Sequence, residues 1–164
     1  MVCSMGMKSS LDWYMCKTQP RSECFYDGSV GSELFFKART KSLEVYSRVY
    51  RWSNEGSKIC RMCERGVDET IEHLLLQCEG YDREREMMLY VVKREMGEGK
   101  WEEICEMQEW ELVRPVLCLL GLSRMDKWNR ETVESVKDFL ERVWMKRSLA
   151  NEDRERGRRD EGDV

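Results

Sequence analysis

Residues 60–78 read CRMCERGVDETIEHLLLQC, and the rest of the chain is best read outward from them. Zinc takes four soft or borderline ligands in a tetrahedron, and two cysteines spaced CxxC can reach one ion from a single tight turn. Cys60 and Cys63 form that half, and His73 and Cys78 complete the pattern Cys-x2-Cys-x9-His-x4-Cys. His73 is the only histidine in the chain. Four protein ligands leave no position for water or substrate, so the spacing predicts a closed site that contributes folding energy and no chemistry. A zinc deaminase would need His-x-Glu ahead of Pro-Cys-x-x-Cys, and here the cysteine pair comes first.

The same stretch carries local structural signals. Asp68 offers a side-chain cap to a helix starting at Glu69, with Glu69 and Glu72 suiting its positive end and residues 70–77 forming its body. Residues five apart on an ideal α-helix point about 140° apart, so His73 and Cys78 cannot both face one ion unless the helix loosens before Cys78. Gly80 suggests how, because glycine can take the left-handed conformation that ends a helix.

Beyond the ligands, Asp82 opens a helix through Met96, with Met88, Val91, Val92 and Met96 along one side and Gly97 as the stop. A short apolar turn at Trp101, Ile104 and Cys105 leads to a further helix holding Trp110, Val113, Leu117 and Leu120, its start limited by Pro115 and its end set by Gly121. The last helix is expected from about residue 129 to 146, because Val133, Val136, Leu140, Val143 and Trp144 fall on one helical stripe. Upstream, Leu34, Phe35 and Ala38 suggest a short helix, while Leu43, Val45, Tyr46 and Val49 fit helix or strand. The expected fold is mostly α, a small helical domain organised around a CCHC zinc knuckle. Its divisions are an N-terminal arm at 1–31, the zinc-binding helical domain at 32–148 and a disordered, charge-rich tail at 149–164.

Composition bounds the function. Apolar residues make up 41% and charged residues 37%, which suggests long solvated helices around a modest core. No apolar run approaches the roughly 20 residues of a membrane span, and the first residues lack the charged start and apolar run of a signal peptide. The expectation is therefore an intracellular protein of nucleus or cytoplasm, neither secreted nor in a membrane, with its thiols reduced. Cys3, Cys16, Cys24, Cys105 and Cys118 have no partner histidine or CxxC spacing, so burial is their expected role. With the sole histidine committed to metal, no nucleophile has a base, and the chain is read as noncatalytic.

The net charge of −4 argues against a polyanion binder as a whole, so any nucleic-acid contact must be local. Between residues 37 and 65, eight basic side chains face three acidic ones, a local charge of +5. Lys37, Arg39, Lys41, Arg48, Arg51, Lys58 and Arg61 are the candidate contacts, with Arg65 completing the cluster. Tyr46, Tyr50 and Trp52 are interleaved among them, as in a single-stranded groove that combines phosphate contacts with base stacking. The plain alternative makes the charges a solvated face and the aromatics core. Both readings stay open at this point.

The stretches LFFKART at 34–40 and DETIEHLLLQC at 68–78, followed by Tyr81 and Arg83, resemble the reverse-transcriptase zinc-binding domain. That module lies at the carboxyl end of polymerases from non-LTR retrotransposons, and the similarity runs from about Lys8 to Arg147. By this resemblance Cys60, Cys63, His73 and Cys78 match the family's metal ligands, and Arg39 and Arg83 match basic flanking positions. The polymerase palm, with its paired aspartates in a Tyr-x-Asp-Asp setting, is absent from these residues, so polymerase activity does not carry over. The resemblance implies a Zn2+ module that helps hold element RNA or target DNA and abuts a polymerase body. The alternatives are a zinc-stabilised protein-protein interaction module or a nonfunctional retroelement relic.

Overall fold

The structure, a computed structural model, describes residues 26–105 and 130–161. Those residues are mostly helical, with no strand among them and one isolated antiparallel bridge between Ile59 and Asp68. The helix expected around 110–120, most of the arm, and Cys3, Cys16, Cys24 and Cys118 lie outside the described residues.

Helix α1, Val30–Arg39, begins where Ser29 turns extended and its hydroxyl accepts the Ser32 N–H at 3.1 Å. Leu34, Phe35 and Ala38 then share one face and are buried. The stretch that fits helix or strand by sequence divides in two. Leu43 and Val45 enter the core as irregular chain, and helix α2, Tyr46–Ser53, follows with no buried residue at all. It stops at Asn54, whose φ of 55° is the left-handed conformation that asparagine tolerates best after glycine.

Helix α3, Asp82–Met96, has the bounds expected of it and ends at Gly97, which takes φ 80°. The expected apolar turn after it is a helix instead, α4, Glu98–Cys105. Trp101 donates to the Gly97 carbonyl at 3.2 Å, so a new helical ladder restarts immediately after the glycine.

Helix α5, Arg130–Glu161, is 32 residues long and organises the fold. It lies antiparallel to α3, with Arg94 paired to Glu131 at one end and Lys146 at 3.3 Å from Glu84 at the other. Val133, Val136, Phe139, Leu140 and Val143 bury against Met88 and Val92 of α3 and against Leu34 and Phe35 of α1, in one continuous core. Gly31 allows α1 to approach, because a Cβ there would meet the Lys137 Cβ at 2.9 Å. Lys137 is itself buried, and its ammonium reaches Asp27 at 3.0 Å and Glu134 at 3.1 Å.

The apolar stripe of α5 ends near 146, yet the helix continues through Glu161, so the segment set apart as a charged tail begins as its extension. Two contacts from distant sequence hold that continuation. The Tyr46 hydroxyl donates to Asn151 at 2.6 Å, and Arg154 donates to the Arg61 carbonyl at 2.9 Å. Beyond them the helix runs on to Glu161 through a proline-free stretch of mostly Glu, Asp and Arg that also contains Gly157.

Candidate metal centre

Each half of the ligand set is placed by backbone hydrogen bonds. On the first half, Cys60 N–H donates to Val67 O and Glu69 N–H to Lys58 O, both at 2.8 Å, flanking the Ile59–Asp68 bridge. Gly66, at φ 65°, lets the chain return within this narrow loop. Inside the CxxC turn, the Met62 N–H points at the Cys60 sulfur at 3.4 Å, which favours a thiolate there.

The second half departs from the expected local structure in three ways. The cap is Thr70, whose hydroxyl accepts the His73 N–H at 3.0 Å, because Asp68 is held in the bridge and paired with Lys58 at 3.0 Å. Next, the helix widens into a π turn over His73–Gln77, and Cys78 N–H donates to His73 O, five residues back, at 2.8 Å. That bond sets residues five apart nearly above one another, which removes the divergence an ideal α-helix would impose. The expected loosening before Cys78 therefore takes a definite form. Lastly, Gly80 is not left-handed. Its requirement is space, since a Cβ there would lie 2.3 Å from the Met62 carbonyl oxygen of the other half.

Irregular backbone needs partners for its freed carbonyls. Arg85, buried on the first turns of α3, donates Nε to Leu75 O at 2.9 Å and a terminal nitrogen to Cys78 O at 2.5 Å, while Asp82 braces it. Lys146 of α5 reaches Gly80 O at 2.7 Å. Deeper in, the Arg147 guanidinium donates to Glu69 at 2.8 Å and to Glu44 O at 3.0 Å, and packs against the rings of Tyr46 and Trp144. Glu69, read from sequence as a first-turn acid, is thus a buried partner of α5. Burial pushes its carboxyl up to about 7, with Arg147 opposing the shift. Thr70, Arg85, Glu69 and Arg147 are the site's supports that sequence reasoning missed, because their partners are backbone atoms or residues far along the chain.

The four ligand atoms of Cys60, Cys63, His73 and Cys78 all lie within 4.8 Å of one another and could hold a metal ion. The Cys60 and Cys78 sulfurs are 3.7 Å apart, and the Cys63 sulfur is 3.5 Å from His73 Nε2. Cys60, His73 and Cys78 are buried and Cys63 is half-buried, and the three cysteines are free thiols. The Cys78 S–H and then the Met62 N–H lower the Cys60 pKa, whereas its bond to Cys60 and burial raise that of Cys78.

The candidate nucleic-acid residues separate into three groups. Lys37 is paired with Glu33 at 2.6 Å and Lys58 with Asp68, while Arg61 lies over the Tyr46 ring. Arg65 sits beside Glu79 and the Gln77 carbonyl. Arg39 is a correction: it is buried, donates to the Tyr26 hydroxyl at 3.0 Å and lies over Phe35, so it cannot serve a surface interface. Its position on the inward face of α1, one residue after Ala38, puts it among core contacts. Lys41, Arg48 and Arg51 remain accessible and have no carboxylate partner among the described residues. Comparison of the chain with protein-family models, with curated proteins and with solved structures finds no match. No helix among the described residues is long and apolar enough to cross a membrane.

Proposed function

We propose that Cys60, Cys63, His73 and Cys78 hold one structural zinc ion, and that the chain is a noncatalytic zinc module contributing RNA or DNA contact. One observation carries the zinc assignment. Thiolates about 2.3 Å and an imidazole nitrogen about 2.0–2.1 Å from a tetrahedral zinc stand about 3.8 Å apart for a sulfur pair and about 3.6 Å for sulfur and nitrogen. Two of the six separations in the cluster, Cys60–Cys78 and Cys63–His73, are 3.7 and 3.5 Å, and all six lie within 4.8 Å. When bound, zinc would supply folding energy and neutralise the thiolates, and with no open coordination position it would activate no water.

The nucleic-acid part is supported by the unpaired cations Lys41, Arg48 and Arg51 beside exposed Trp52, and by the resemblance to the zinc-binding end of retroelement polymerases. A second reading, a protein-interaction module, is favoured by Met87 and Tyr90, apolar side chains that α3 leaves exposed. Metal analysis of the purified protein, followed by RNA and duplex binding across a salt series, tests the proposal. Near-stoichiometric zinc and an affinity that falls steeply with salt are expected. Protein without zinc overturns the first part. Absence of binding at low salt, or binding indifferent to salt, overturns the second.

A further inference from the structure

Of the three aromatic residues interleaved with the basic cluster, two are already engaged. Tyr46 is half-buried between the guanidinium groups of Arg61 and Arg147, and its hydroxyl is bonded to Asn151. Tyr50 is half-buried. Trp52 differs from both: with 77% of its surface open, it is the most exposed of the large apolar side chains described. Its indole projects from α2, the helix that contributes nothing to the core, so packing does not explain it.

The surroundings of Trp52 point to an anion-bearing aromatic ligand. Arg48, one helical turn earlier, places its guanidinium over the indole at 5.7 Å and is itself fixed by donating Nε to the Lys41 carbonyl at 3.1 Å. Arg51 is exposed next to Trp52 in sequence, and Lys41 is exposed where that carbonyl tethers Arg48. Glu44 and Glu55, exposed carboxylates nearby, form no ion pair with any of the three cations. An indole with one guanidinium over it, in a segment that carries two more exposed cations, offers its open surface to a base and charge to the phosphates on either side. In a duplex the base faces are stacked on one another inside the helix, so such a platform selects unpaired bases.

We infer that Trp52, with Arg48 over its ring and Lys41 and Arg51 exposed on the same segment, is a base-stacking site for single-stranded nucleic acid. The inference rests on the nucleic-acid reading given above and narrows it to one ligand class and one ring. Up to three phosphate contacts give a slope of log affinity against log salt of about −2 on single strands.

The test uses the full zinc-loaded chain with a labelled oligouridylate and with a duplex of matching length, from about 50 to 200 mM salt. Trp52→Ala weakens oligouridylate binding by about 5- to 150-fold, leaves duplex binding, zinc content and melting temperature as they were, and keeps the salt slope. Trp52→Phe restores most of the affinity. Arg51→Ala lowers the slope by about 0.7. Salt-dependent binding that Trp52→Ala leaves unchanged, or reduces equally on duplex, overturns the stacking site while the broader reading stands. No binding by the unmodified chain at low salt overturns both together.

Discussion

The antiparallel pair of α3 and α5 and the ligand loop at 60–81 share one core but are held in opposite ways. Between the helices, Met88, Val92, Val133, Val136, Phe139, Leu140 and Val143 bury apolar surface along regular, periodic stripes. In the ligand loop the backbone is irregular: a lone bridge, a π turn over His73–Gln77 and a 3-10 turn over Glu79–Tyr81, each pinned by a polar contact. The first arrangement draws on the hydrophobic effect, which is nondirectional and distributed over many residues. The second concentrates on a few directional bonds and on four ligand atoms. Loss of one residue should therefore cost the helices gradually and the ligand loop all at once.

Removing the proposed zinc should have the largest effect. Structural zinc in small domains contributes on the order of 10 kcal/mol to the folded state. Cys78→Ser, or a strong chelator, is expected to abolish stoichiometric zinc, to lower the melting temperature sharply and to erase amide protection across 60–81 in hydrogen exchange. Part of the helical signal should survive in α3 and α5. Collapse of all protection together would show that the two regions are one cooperative unit. Unchanged melting would remove zinc from the structure's support altogether.

Leu140→Ala, at a buried position of α5, should cost about 2–5 kcal/mol in chemical denaturation. Zinc content should stay stoichiometric, because the ligands share this core but are positioned by the loop's own backbone and polar bonds. Loss of zinc from this variant would break the comparison, since it would mean that the loop borrows its geometry from the apolar stack.

Glu69 joins the regions, and its pH dependence has a definite sign. Its carboxyl is pushed up to about 7 from an ordinary 4.5, first by burial. Between those values the folded chain keeps a proton that the unfolded chain has released, so this group's stabilisation is full below pH about 4.5 and is lost as pH rises through about 7. The span corresponds to about 3 kcal/mol. Glu69→Gln cannot lose a proton and still accepts from Arg147, so the stability of this variant should lack that decline. A parallel pH profile for the two proteins would assign the slope elsewhere.

Legibility in the sequence follows the same division. Spacing alone picked out the four side chains that the fold gathers within 4.8 Å of one another, and 3.6-residue periodicity placed α3 at its observed bounds and the stripe of α5 on its buried face. Helical geometry also required the chain to loosen before Cys78. The manner of loosening was not legible, because a π turn is stabilised by Arg85, which caps Leu75 and Cys78 from the following helix. Gly80 was read as a conformational device, but its need is for space beside Met62, a contact between halves that only the folded loop creates. Arg39 looked like a surface cation because its neighbours are basic, yet Tyr26 and Phe35 hold it inside. The continuation of α5 depends on Tyr46 and Arg61, whose distance along the chain hides them from any local reading.

The smallest expected effect concerns the polar contacts that do exist between the helices. Arg94 and Glu131 meet at one end of the α3–α5 pair, with both side chains largely in solvent. Glu95 and Glu131 raise the Arg94 pKa, but a guanidinium is charged at every accessible pH, so that shift carries no titration to observe. An exposed ion pair gives back most of its attraction to solvent screening and to the ordering of two long side chains. Arg94→Ala should accordingly leave melting temperature and zinc content indistinguishable from those of the unmodified chain, at low and at high salt. A salt-dependent loss comparable to that of Leu140→Ala would mean that directional contacts also set the register of the helices, and the contrast between the two regions would disappear.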